Sequence, residues 1–164
     1  MKRFLSALLI VVLMVLPASS LAEAISPQHN ATLNFFEYLD AAGMSYDFGG
    51  TSEDGSDIVT MSITGDKTTI GLYMYFEEDN ASIFVWNLIS FDALGFMPVM
   101  KLCNDLNYYY RWVQFCVDMT DDTVTMSADV AFTDEDAGEL VYERVMRMSR
   151  IADDCWDKLS AYQK

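Results

Sequence analysis

The stretch MPVMKLCNDLNYYYRWVQFCVDMTDDTVTMSADVAF, residues 97–132, decides the fold. Its first part places Val99, Leu102, Leu106 and Tyr109 three and four residues apart, which predicts a short helix with one apolar face. From Arg111 the period falls to two. Val113, Phe115, Val117 and Met119 alternate with Trp112, Gln114, Cys116 and Asp118. Thr120–Asp122 supplies a turn, and Val124, Met126, Ala128, Val130 and Phe132 then alternate with a largely polar set. A helix followed by a β-hairpin is the expectation.

Downstream, Thr133 with Asp136 three residues on predicts a helix start of the capping-box kind, with Asp in place of Glu. Val141, Val145, Met148, Ala152, Cys155, Leu159 and Tyr162 follow at helical spacing, so the chain ends in a long amphipathic helix. That helix either docks on the protein's own sheet or pairs with a partner strand as a coiled coil. Upstream, Thr32–Ala42 reads as a helix with Phe35, Phe36, Leu39 and Ala42 inward and Gly43 as its stop. Gly49–Gly55 reads as a polar turn region. Ile58–Thr64, Thr69–Phe76 and Ser82–Ile89 read as strands. In the second, Ile70, Leu72, Met74 and Phe76 share one face, with Tyr73 and Tyr75 on the other. The third is apolar on both faces, which predicts a central strand. The order helix, strands, helix, hairpin, helix is that of an α+β domain with an antiparallel sheet.

The first segment stands apart. Lys2 and Arg3 precede an apolar run from Phe4 to Leu16, then Pro17 and small residues up to Ala22 and Ala24. This predicts a signal peptide over residues 1–22 and a single folded domain over 23–164. The apolar run is shorter than the roughly 20 residues of a permanent membrane span. Export then places the protein in the periplasm or outside the cell, without stable insertion in a membrane. The whole chain carries a net charge of −15; without residues 1–22, 8 basic residues face 25 acidic ones, a net charge of −17. Such a polyanion is repelled by phosphate backbones and anionic lipid, so nucleic acid is not an expected partner.

Three cysteines, Cys103, Cys116 and Cys155, leave room for one disulfide in an oxidising compartment. Three pairings exist. Cys103–Cys155 is favoured because both lie on apolar helix faces; the alternative is that all three are small buried hydrophobes.

Catalytic chemistry finds little support. The single histidine, His29, lies in an N-terminal loop, so Ser–His and Cys–His pairs lack a base. No Cys-x-x-Cys, glycine-rich phosphate loop or Gly-x-Ser-x-Gly elbow occurs. Neither a metal nor a cofactor is expected. Carboxylates are plentiful, and a hydrolase built on two facing acids is one alternative. Glu53–Asp57 resembles a calcium loop without its alternating ligands and distal Glu, and reads as a turn.

Aromatic residues are the remaining signal. Tyr108, Tyr109, Tyr110 and Trp112 fall within five residues, near Tyr73, Tyr75, Phe84 and Trp86 by strand parity; because strands alternate, some of these point away from the main core, either bare or covered by a second layer such as the first helix. Tyr and Trp outside a core suit a protein or peptide partner, a second copy of the chain, or a small molecule or glycan held by stacking.

From Leu102 to Phe132 and into the last helix, the chain resembles the YbjN family, which is assigned to bacterial sensory-transduction regulation. The resemblance rests on Asn104-Asp105-Leu106-Asn107 before the aromatic strand Tyr108–Phe115, the acidic turn Asp118–Asp122, Val124–Asp129, and a terminal helix with Trp156 and Leu159. It implies a fold like the class I type III secretion chaperones, where a small α+β domain presents its sheet and helices to a protein partner and often dimerises. It carries over Asn104 and Asn107 as structural residues and no catalytic ones. The signal peptide departs from a cytoplasmic chaperone role. The expected function is an exported, non-enzymatic, protein-binding regulatory module.

Overall fold

Alternation of apolar residues along the strands leaves one sheet face that must be covered, and the helices cover it. The computed structural model describes residues 26–164, so the expected signal peptide lies outside the described residues. The elements are α1 (Asn30–Ala42), β1 (Asp47–Thr51), β2 (Asp57–Thr64), β3 (Thr69–Phe76), β4 (Asn80–Ser90), α2 (Phe96–Tyr109), β5 (Gln114–Asp118), β6 (Thr123–Ala131) and α3 (Ala137–Leu159). The strands form one antiparallel sheet in the order β1-β2-β3-β4-β6-β5. This is the α+β arrangement expected. α2 carries the chain from β4 past the position of β6 to the far edge, and the β5–β6 hairpin fills the gap.

Val59, Leu72, Met74, Ile83, Val85, Phe115, Met126 and Val130 point to one face and are buried there with Phe35, Leu39, Val141, Val145 and Met148 of the helices. α3 therefore docks on its own sheet, and α1 packs beside it. At roughly 1.5–3 kcal/mol for each fully buried apolar side chain, this layer is the main stabilising term. Among the described residues no helix is long and apolar enough to cross a membrane.

Several local expectations change. Gly49–Thr51 belongs to edge strand β1, whose pairing slips between Phe48 and Gly50. Ala42 is exposed, because α1 buries Ala31, Thr32, Phe35 and Leu39. α2 buries Val99, Cys103 and Leu106, while Leu102 is half-buried and Tyr109 exposed. Met119 lies in the turn and is exposed. β4 is central as expected, but only one of its faces is fully covered. It bulges between Val85 and Ile89, with Asn87 at φ 53°, and Asn87 turns to solvent although its parity matches Val85.

Carboxylates and one amide fix the layers to each other. His29 makes no side-chain cap for α1. Asp57 of β2 instead ties down the segment that leads into α1. It accepts the backbone N–H of Gln28 and His29 at 2.9–3.0 Å, the Thr32 hydroxyl at 2.9 Å and the Thr51 hydroxyl at 2.7 Å. Burial pushes this carboxyl up, but the four donors outweigh it and hold the acid below its ordinary range. Asp153 of α3 accepts the backbone N–H of Asp66, Lys67 and Thr68, gripping the β2–β3 turn. A Cβ on Gly65 of that turn would collide with the Asp153 carboxylate, so the grip requires glycine. Gly138 plays the same part where α3 crosses α1. Its N–H donates to Asn34 Oδ1 at 2.9 Å, and a Cβ would meet the Asn34 carbonyl at 2.8 Å. Before α3, Asp136 Oδ1 accepts both the N–H and the hydroxyl of Thr133, half of the expected capping box.

Candidate functional site

The seven aromatic residues singled out by sequence fall into two groups, and among the described residues no ring contact joins them. The first group follows from strand parity. Tyr73 and Tyr75 of β3 and Phe84 and Trp86 of β4 point away from the helices, with Tyr73 directly opposite Phe84. Phe84 and Trp86 stack with centroids 4.6 Å apart and planes within 6°. Tyr75 meets Phe84 edge-on at 5.9 Å. Tyr75 and Phe84 are half-buried, whereas Tyr73 and Trp86 are 43% and 46% exposed. Among the described residues no helix covers this face: Gly71, Gln114 and Cys116 are exposed on it as well. Thr125, opposite the β4 bulge, is buried. Beside Tyr73 the sheet forms a cleft of about 360 Å³ lined by Tyr46, Asp47, Thr60, Ser62 and Gly71.

The second group sits where α2 ends and β5 begins. Tyr108, Tyr109 and Trp112 are 83%, 72% and 57% exposed. Tyr110 differs: it is half-buried against the core, and burial followed by the Asp154 charge pushes its phenol up. Asn107 orders this junction. Its amide donates to the Phe115 carbonyl at 3.0 Å and its oxygen accepts the Phe115 N–H at 2.7 Å. The side chain thus mimics a neighbouring strand and closes part of an exposed sheet edge. Asn104, the other position carried over by resemblance, is exposed on α2.

Sequence reasoning passed over the arginines. Arg144 and Arg147 of α3 stand 5.2 and 5.4 Å from the Trp112 ring centroid, and Lys158 stands 6.0 Å from that of Tyr109. Arg111 and Arg150 help to line the same surface. The spacing Arg144-x-x-Arg147-x-x-Arg150 in a chain of net charge −15 was the available signal.

No disulfide joins Cys103 to Cys155, the pairing favoured from sequence: all three cysteines are unpaired, with Cys103 and Cys155 buried and Cys116 exposed. Burial pushes Cys103 up to about 11 and Cys155 up to about 12, a state in which a thiol is inert. The one buried carboxylate among the described residues is Asp57, and its oxygens are taken by the four donors described above. Among the described residues no group of His, Cys, Asp and Glu is placed to hold a metal ion.

A family model, YbjN, matches residues 35–154 and carries the description "Putative bacterial sensory transduction regulator". The chain belongs to the YbjN family. The match runs from the middle of α1 to the last third of α3, so it takes in the whole sheet and both aromatic groups. Among solved structures, the chain is similar to that of YbjN from E. coli, titled "a putative transcription regulator". The two share 15% sequence identity at a TM-score of 0.51, over 77% of this chain and 90% of that one. At that identity the likeness concerns the YbjN fold. No curated protein matches the chain. Regulation is thus the family's description, and no catalytic residue comes with it.

Proposed function

We propose that this chain is an exported regulatory module that acts by binding a protein, either a partner or a second copy of itself, through its exposed aromatic residues. One observation carries the reading: the sheet keeps a helix-free face on which Tyr73, Tyr75, Phe84 and Trp86 form a continuous aromatic surface. Exposed aromatic clusters of this kind are where interfaces concentrate their binding energy. Tyr108, Tyr109, Tyr110 and Trp112 form the second contact region. Export is supported by the basic start and apolar run of the first 22 residues.

The test is capture of partners by the exported protein, together with its oligomeric state. Trp86→Ala with Tyr73→Ala, and separately Trp112→Ala with Tyr109→Ala, should each weaken capture or self-association at least tenfold. Unchanged capture and unchanged oligomeric state in both pairs would remove the proposal.

A second reading has its own observation. The coplanar Phe84–Trp86 stack lies on the sheet face that also carries the cleft at Gly71, lined by the Thr60 and Ser62 hydroxyls, a setting that suits a sugar ring or another small polar ligand. Saturable quenching of tryptophan fluorescence by a glycan, abolished in Trp86→Ala, would favour it over protein binding.

A further inference from the structure

Residues 26–164 hold 24 Asp and Glu but only four arginines, and all four gather around Trp112. Arg111 precedes it in the chain. Arg144, Arg147 and Arg150 follow α3 in steps of three, which keeps them on adjoining flanks of the helix. Two of them bond to backbone carbonyls. Arg144 Nη1 donates to the Trp112 and Asp129 oxygens at 3.0 and 3.3 Å, and Arg150 Nε donates to Met146 at 3.4 Å. Among the described residues none of the four pairs with a carboxylate; the two ion pairs there are Lys67–Asp157 and Lys101–Asp105. Burial and then the Arg147 charge push the Arg144 guanidinium down, and Asp129 only partly offsets this. In described residues where acids outnumber these arginines six to one, four guanidinium groups gather at one place without a carboxylate in ion-pair contact.

The shape of the place narrows the ligand. Two hollows of about 300 and 500 Å³ flank Trp112. The first reaches Leu140, Glu143 and Arg144, and the second reaches Tyr109, Arg150, Ile151 and Asp154. Together they follow α3 from Leu140 to Asp154, roughly 21 Å at 1.5 Å per helical residue. That is the length of about six residues of extended chain. Both hollows are open to solvent, whereas small-molecule sites enclose most of their ligand. Asp129, Glu143 and Asp154 border the groove, so a ligand must place its anions at intervals. A nucleic-acid backbone, charged at every step, would be repelled by the acidic surface around it.

We propose that the groove binds an extended acidic peptide segment of a partner protein. Its carboxylates take the guanidinium groups of Arg147 and Arg150, whose planar forks fit a carboxylate with two parallel hydrogen bonds. An intervening side chain lies across Trp112. This rests on the protein-binding reading and gives the chemistry of its second contact region.

The test uses the protein labelled with ¹⁵N-tryptophan, whose three indole N–H signals report Trp86, Trp112 and Trp156 separately. The probes are a hexapeptide of alternating Glu and Leu and, in parallel, a six-nucleotide single-stranded DNA. The hexapeptide should move the Trp112 signal saturably, leave Trp86 in place, and bind more weakly as salt is raised. Arg147→Gln and Arg150→Gln should each lower affinity about tenfold, the size of one charge-assisted hydrogen bond. Unmoved Trp86 and Trp156 signals in those variants show that the fold is intact. A Trp112 signal that stays still at millimolar hexapeptide overturns the inference. So does equal binding by the double variant, or tighter binding of the oligonucleotide. A partner that still crosslinks at Trp86 after such a failure leaves the wider protein-binding reading standing.

Discussion

Asp57 and Arg147 belong to the same acidic chain and are used in opposite ways. Asp57 is fully buried and serves four donors from three segments of the fold. Asp153 and Asp136 repeat the pattern nearer the surface, each accepting backbone N–H groups of a turn or helix start. Where carboxylates among the described residues shift, they shift down, and hydrogen bonds are the cause. Around Trp112 the reverse holds. Four arginines converge, and among the described residues none meets a carboxylate. The two sheet faces differ in the same sense, one filled by helices and the other carrying Tyr73 and Trp86 bare. The comparison teaches that anchoring and binding are divided between different groups: what holds the layers together is satisfied internally, and what remains unsatisfied is at the surface.

Stability measurements can break this division. Asp57→Ala should have the largest effect, because it leaves two backbone N–H groups and two hydroxyls without their partner at the end of α1. The expected loss is about 2–4 kcal/mol in urea unfolding. Asp57 also carries a pH signature. Its folded value lies below its unfolded one, so its contribution is present above the ordinary carboxylate value, roughly 3.9, and is lost as pH falls through the depressed value. Acid unfolding should therefore have a shallower limb in Asp57→Asn than in the wild type. A cost under about 0.5 kcal/mol for Asp57→Ala would contradict its role as an anchor.

Gly138→Ala comes next. The added Cβ must displace α1 from α3, an overpacking cost of about 1–3 kcal/mol, seen as a lower urea midpoint with unchanged slope. Asn107→Ala should cost about 1–2 kcal/mol by unpairing both backbone groups of Phe115. Faster amide exchange at Phe115 would be its local mark. Arg147→Gln should sit at the bottom of the scale, within about 0.5 kcal/mol of wild type. A loss as large as that of Asp57→Ala would show that the arginine cluster is structural and end the division.

Most of the fold was legible because its signals are local and periodic. The two-residue alternation of β3, β5 and β6 and the three-four spacing of α3 follow from which side of each element meets the core. Gly43 stops α1 with φ 68°, as a helix-ending glycine does. β1 was hidden because an edge strand with two glycines has no alternation to show. The inward face of α2 was drawn through Leu102 and Tyr109, whereas the helix buries Val99, Cys103 and Leu106 and leaves Leu102 half-buried and Tyr109 exposed. Strand alternation requires that some of the aromatic residues leave the core, and that much was legible. That no helix covers Tyr73 and Trp86, that Tyr110 packs back against the core, and that the residues divide into two surfaces were not, since these depend on packing and on the strand order β4-β6-β5, in which the two groups are separated by β6. Most partners of Asp57 and Asp153 were equally out of reach, 25 to 87 residues away in sequence, with Thr51, six residues from Asp57, the exception.

The most direct measurement is site-specific photocrosslinking in the cells that make the protein. A photoreactive side chain would replace Trp86, Trp112 or Asp157, the last on the exposed flank of α3. The account predicts one shared protein band from Trp86 and Trp112, absent from Asp157 and weakened at Trp112 by Arg147→Gln. Equal crosslinking from all three positions, or none from Trp86 and Trp112, would contradict it.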